Sequence, residues 1–224
     1  MHYLWLVPIC LVLAAWFIKV ERDGKYVEAD LIKGLASCCF VAFGFLGAGD
    51  ALGTPYARIV VSGLALGFVA DVILNLRYVF EGEKGKRAFL AGILVFLAGH
   101  VAYIVALAPR CPGLVQAIIL GLCLTVALMW WILGRIEAAL AFKIFGFFYI
   151  GAICIMNCVA FAVLISNPCA HTAVFMGGAV LFLLSDVILI LNTFGPEQRF
   201  TWRCANLMLY YVGQLLIAAS LQLL

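Results

Sequence analysis

Apolar positions run along this chain in eight stretches, each near the roughly 20 residues that cross a bilayer as a helix, with polar or Pro/Gly-containing joints between them. The predicted segments lie near 2–19, 31–50, 56–76, 88–107, 113–133, 141–165, 171–191 and 201–223. Joints are short, and no soluble domain or low-complexity linker interrupts the series, which predicts one all-α integral membrane domain over residues 1–224. The first run, Tyr3 to Ile18, has no basic region before it and no small-residue cleavage site after it. It is therefore expected to span the membrane rather than to be cleaved as a signal.

Composition agrees. Of 224 residues 67% are hydrophobic and 11% charged, with a mean hydropathy of +1.18. A soluble domain of this length could not bury so much apolar surface. Nine cysteines in such a chain serve as small packing residues rather than as a disulfide framework. A net charge of +3 is too small to suggest a nucleic-acid partner.

Charge does set an orientation. The odd-numbered joints and their flanks hold Lys19, Arg22, Lys25, Lys33, Arg77, Lys84, Lys86, Arg87, Arg135, Lys143, Arg199 and Arg203, whereas the even-numbered joints hold only Arg58 and Arg110. The positive-inside rule then puts the odd joints in the cytoplasm and both termini on the other side. Compact loops favour a bacterial cytoplasmic membrane.

Two segments carry an acid in hydrocarbon: "GLALGFVADVILNL", Gly63 to Leu76, with Asp71, and "GAVLFLLSDVILIL", Gly178 to Leu191, with Asp186. Asp186 follows Asp71 by 115 residues, about half the chain, and the third and seventh segments cross in the same direction. This predicts two parallel four-helix repeats. A carboxylate within a membrane costs about 2.5–3.5 kcal/mol on insertion scales and normally faces a bundle interior or wet cavity. Both acids are expected near the cytoplasmic end, on the order of 8 Å below the interface. Gly63, Gly67, Asp71 and Asn75 recur every four residues as one stripe, with the glycines allowing close approach of a neighbour.

Further polar positions accompany them. Helix four offers Gly92, Phe96, His100 and Tyr103; helix six offers Tyr149 and Asn157; helix eight offers Asn206, Tyr210 and Gln214. Taken singly, such side chains serve equally as interhelical hydrogen-bonding glue. Lys33, at the expected start of helix two, suits either snorkelling to the interface or holding an anionic phosphate.

"ADVILNL", "FLAGILVFLAGHVAYI", "FLLSDVILILNTF" and "YYVGQLLIA" resemble the YhhN family of multi-pass membrane proteins, whose characterised members are lysoplasmalogenases. The resemblance rests on the paired aspartates, His100 with Tyr103, and Tyr211 with Gln214. The family's first Asp usually follows Gly, here Ala70, and its Lys is usually followed by Pro, here Gly34. The resemblance implies hydrolysis of the vinyl-ether bond of a lysophospholipid within the bilayer, without a cofactor or metal. It implies Asp71, Asp186 and His100 as catalytic residues, and Lys33, Asn75, Tyr103, Tyr149, Asn192, Tyr211 and Gln214 as substrate-binding ones.

That chemistry suits two carboxyls in different environments, one protonating the alkene and one activating water, as in glycoside hydrolysis. Two other classes compete. A zinc hydrolase needs three or four His, Cys or carboxylate ligands, and His100 alone lies in a helix core, while His2 and His171 lie near helix ends. A proton- or cation-coupled transporter would use the same two acids as a relay, but no paired Gly/Pro-broken helices occur at mid-membrane. Cys111 and Cys169 fall in two joints on the same, non-cytoplasmic side, where a disulfide or two free thiols could stand.

Overall fold

The computed structural model describes residues 3–224; the expected start of the first segment, including His2, lies outside them. Every described segment is helical: α1 Leu6–Arg22, α2 Tyr26–Ala48, α3 Pro55–Asn75, α4 Gly82–Leu107, α5 Leu114–Leu133, α6 Leu140–Ser166, α7 Ala170–Phe194 and α8 Phe200–Ser220. Seven of them, α2 to α8, are long and apolar enough to cross a membrane; α1, at 17 residues, is not among these. Lipid-facing surface is plain on α5, where Val115, Ile119, Val126 and Trp130 are exposed. The chain is a multi-pass membrane protein.

Helix ends follow local chemistry. Thr54 starts α3: its hydroxyl oxygen accepts the Ala57 amide at 3.3 Å, and Pro55 follows at the first helical position. Cys169 and Thr172 cap α7 reciprocally, side chain to backbone in both directions. The reversal between α1 and α2 uses Gly24 at φ 77°.

Two boundaries differ usefully from the sequence expectation. Helix α2 begins at Tyr26 rather than near residue 31, because polar residues such as Glu28 and Asp30 continue a helix as well as apolar ones do. Lys33 is therefore two turns inside α2, not at its mouth. Helix α7 continues to Phe194, so Asp186 lies eight residues from its end while Asp71 lies four from the end of α3.

Neighbours in sequence pack as pairs: α1 on α2, α3 on α4, α5 on α6 and α7 on α8. The halves meet where α2 packs on α8 and α4 on α6. Adding four to a label, counted around the eight, exchanges these two contacts, whereas those of α8 with α1 and α3 have no such counterpart. Three pairs close through glycine: a Cβ at Gly92 would lie 2.9 Å from the Leu74 Cα, one at Gly121 2.7 Å from the Ile155 Cα, and one at Gly178 2.7 Å from the Gly213 carbonyl oxygen. Backbones thus approach as close as packing allows, which is how helices associate where apolar burial from water gives no drive.

Candidate functional site

Both acids are buried, Asp71 at 2% and Asp186 at 3% exposure, and both line one cavity of about 70 Å³ at the basic end of the bundle. Its walls come from α2 to α8, with apolar Ile93, Met129, Ile132 and Leu189 making up much of the rest. Such a space holds several waters at most.

Asp71 is held from three sides. Ser37 of α2 and Tyr210 of α8 each donate a hydroxyl hydrogen bond to Oδ2 at 2.6 Å. Lys33 Nζ lies 3.1 Å from Oδ1 and donates to the Asp71 carbonyl oxygen at 3.4 Å. Lys33 and Ser37 stand one turn apart on α2, so the same helix face supplies both. The expected phosphate-holding role of Lys33 meets this ion pair: its charge is engaged with Asp71.

Asp186 has different company. Tyr149 of α6 donates to its Oδ2 at 2.6 Å, and Ser185 donates to Oδ1 at 3.4 Å. Ser185 is itself fixed by Asn206, whose amide donates to the Ser185 carbonyl at 2.9 Å and hydroxyl at 3.0 Å. No cation lies within salt-bridge distance of Asp186 among the described residues.

The remaining sequence candidates fall into two groups. Tyr103 donates to Gln214 Oε1 at 3.1 Å, and Gln214 Nε2 reaches the Tyr210 hydroxyl at 3.4 Å, a chain that ends on Asp71. The stripe glycines make room for this chain: a Cβ at Gly63 would strike the Tyr103 ring, and one at Gly67 would lie 2.7 Å from Gln214 Nε2. They admit side chains rather than another backbone. Tyr211 sits behind, its hydroxyl 3.4 Å from Ser37 Oγ and from the Lys33 carbonyl oxygen. His100 hydrogen-bonds neither acid; its buried ring has no partner on either nitrogen and packs edge-on against Phe182 and Tyr149. Asn75 is likewise buried with both amide atoms unpartnered. None of Asn75, His100, Tyr103, Tyr211 or Gln214 is in the cavity wall, whereas Tyr149, Lys33 and both acids are. Ser37 escaped the sequence analysis, though its spacing of four from Lys33 could have flagged it.

A second cavity, about 360 Å³, adjoins the first and is lined by Arg77, Tyr78, Lys86, Asn192, Gln198 and Arg203 among others. Phe89, Phe142 and Phe194 stand in the walls of both, with ring centroids 5.4–6.0 Å apart, one each from α4, α6 and α7. Asn192 belongs to this outer space and accepts the Arg199 amide at 2.7 Å. A third cavity, about 230 Å³, follows outward and is walled by Glu21, Tyr26, Arg199 and Arg203. Arg203 borders all three, and Glu21 of α1 takes both its Nε and Nη2, at 3.0 and 2.7 Å.

The family model of the YhhN family matches residues 28–221, most of the chain. The chain belongs to the YhhN family. The match takes in every residue of the two-acid cavity, from Lys33 to Tyr210, and leaves Glu21 outside it. No curated protein and no solved structure matches the chain.

Proposed function

We propose that this YhhN-family protein is a lysoplasmalogenase, cleaving the vinyl-ether bond of a lysophospholipid such as lysoplasmenyl-ethanolamine or -choline. The carrying observation is that two carboxyl groups open on one cavity with unlike partners, a cation at Asp71 and a phenol at Asp186.

Asp186 is the proton donor. Tyr149 donates to Oδ2 at 2.6 Å and Ser185 only to Oδ1 at 3.4 Å, so Oδ1 is the less committed oxygen and is assigned the acidic proton. Transfer of that proton to the outer alkene carbon leaves an oxocarbenium ion at the carbon bound to the ether oxygen. Asp71, paired with Lys33, supplies the negative charge that stabilises this cation and takes a proton from the attacking water. The hemiacetal then collapses: Asp71 passes its proton to the glycerol oxygen as the carbon–oxygen bond breaks, the hemiacetal hydroxyl proton goes to Asp186, and a fatty aldehyde leaves with both acids restored. One water is consumed and no oxidant or metal enters the balance. His100 and Tyr103 act by packing and by holding the hydrogen-bond chain to Asp71. The orientation with basic loops in the cytoplasm puts the cavity mouth at the cytoplasmic face.

The test is aldehyde release by the purified chain in detergent from a vinyl-ether lysophospholipid, with alkyl-ether and acyl lysolipids beside it. Aldehyde from the vinyl ether only, reduced at least about 100-fold in Asp71→Asn and in Asp186→Asn, is expected. In deuterated water one deuterium is expected on the aldehyde carbon next to the carbonyl. A well-folded wild type that releases no aldehyde overturns the reading.

A further inference from the structure

Resting on that substrate class, we propose that Arg77 is the anchor for the lipid phosphate, in place of the Lys33 that sequence suggests. Most cations around the three cavities are already paired. Lys33 meets Asp71 at 3.1 Å, Arg203 meets Glu21 at 2.7 Å, Lys86 meets Glu83 at 2.8 Å and Arg199 meets Glu197 at 2.6 Å. Arg22 is exposed, and Lys143, half-buried and also without a carboxylate partner, has no enclosed nitrogen left without a hydrogen bond.

Arg77 differs. It has no carboxylate partner among the described residues, and its Nε is buried with nothing to donate to. Two rings flank its guanidinium, Phe89 at 4.4 Å and Tyr78 at 4.5 Å, while Nη2 donates to the Tyr78 hydroxyl at 2.6 Å. With rings against its faces and one Nη2 proton given to Tyr78, the guanidinium keeps its remaining edge N–H groups, Nε among them, for the oxygens of a phosphate. Arg77 is half-buried, with its Nε enclosed and no counter-ion, so an anion brought to it gains more than one brought to a cation already paired.

Position supports the same ligand. Arg77 lines the 360 Å³ cavity, and Phe89, which carries its guanidinium, also stands in the wall of the two-acid cavity. The cation thus sits at the doorway between them. Arg77 follows Asp71 by six residues, about 9 Å along the helix, with a long side chain to shorten the gap. In a lysoplasmalogen the ether oxygen and the phosphorus are separated by three glycerol carbons and an oxygen. A phosphate held at Arg77 therefore presents the vinyl ether inward, past the three phenylalanines, toward Asp186 and Asp71.

Binding tests this without relying on turnover. The full chain in detergent would be titrated with a saturated alkyl-ether lysophosphatidylethanolamine, which has no vinyl bond, and with the phosphate-free alkylglycerol. Wild type is expected to bind the phospholipid more tightly. Arg77→Gln should weaken the phospholipid about 10- to 100-fold, the range for one charged hydrogen bond, and leave the alkylglycerol unchanged. Arg77→Lys should fall between, and it carries the comparison if Arg77→Gln does not fold. Unchanged phospholipid binding in both variants overturns the proposal, as does equal loss of both ligands. Aldehyde release is followed on the same wild-type preparation. Its absence beside the expected binding pattern removes the hydrolase reading alone; its presence without that pattern removes Arg77 alone.

Discussion

Lys33 Nζ lies 3.1 Å from Asp71 Oδ1, with both side chains about 3% exposed. A buried pair of this kind is costly to break from one side, because the orphaned charge stays in hydrocarbon. Lys33→Met is expected to destabilise by about 3–5 kcal/mol. Lys33→Met combined with Asp71→Asn should recover most of that loss while remaining inactive. Unfolding of the purified variants in detergent measures both, and a double variant no more stable than the single would contradict the pairing.

Tyr149 fixes the orientation of Asp186, so Tyr149→Phe should slow vinyl-ether cleavage about tenfold with little change in KM. Steady-state kinetics separate this from a binding defect, which would raise KM and leave kcat alone.

Two glycines should respond oppositely to the same added methyl. Gly178→Ala forces a Cβ to within 2.7 Å of the Gly213 carbonyl oxygen, where only backbone can yield, and should cost about 1–3 kcal/mol by separating α7 from α8. Gly146→Ala, inside α6, meets nothing within 4 Å and should raise stability by about 0.5–1 kcal/mol. Thermal denaturation of the two variants side by side provides the comparison.

Cys111 and Cys169 are both free thiols, one buried and one exposed. The Thr172 hydroxyl and then its backbone amide stabilise the Cys169 thiolate at the start of α7 and pull its pKa below the usual 9.0. Its alkylation should therefore rise at lower pH than that of an ordinary exposed thiol. Iodoacetamide labelling followed by peptide mapping across pH should show Cys169 modified ahead of Cys38 and Cys123, with Cys111 protected by burial.

Hydrocarbon makes some features legible and hides others. An acid inside an apolar run announces an inward face, so Asp71 and Asp186 could be read from the chain, and Tyr149 with them. Helix ends were legible only where the apolar run also ended. Helix α4 begins at Gly82, six residues before the apolar boundary, because Glu83, Lys84 and Lys86 support a helix in water. Pairings across helices were not legible. Nothing local distinguishes Tyr210, which touches Asp71, from Tyr211, which sits behind it. Lys33 looked like a surface cation because its partner lies 38 residues away on another helix.

The unlike partners of the two acids bear on the advantage of carrying both in one chain. Asp186 follows Asp71 by 115 residues, and Tyr149 follows Lys33 by 116, so the cation and the phenol stand at nearly matching places. A pair of identical subunits would be obliged to give each acid the same companion, and neither could specialise. A single chain that carries both acids has no such constraint. In the proposed mechanism one acid keeps its counter-ion while its counterpart gives up a proton, a division of labour that strict symmetry forbids.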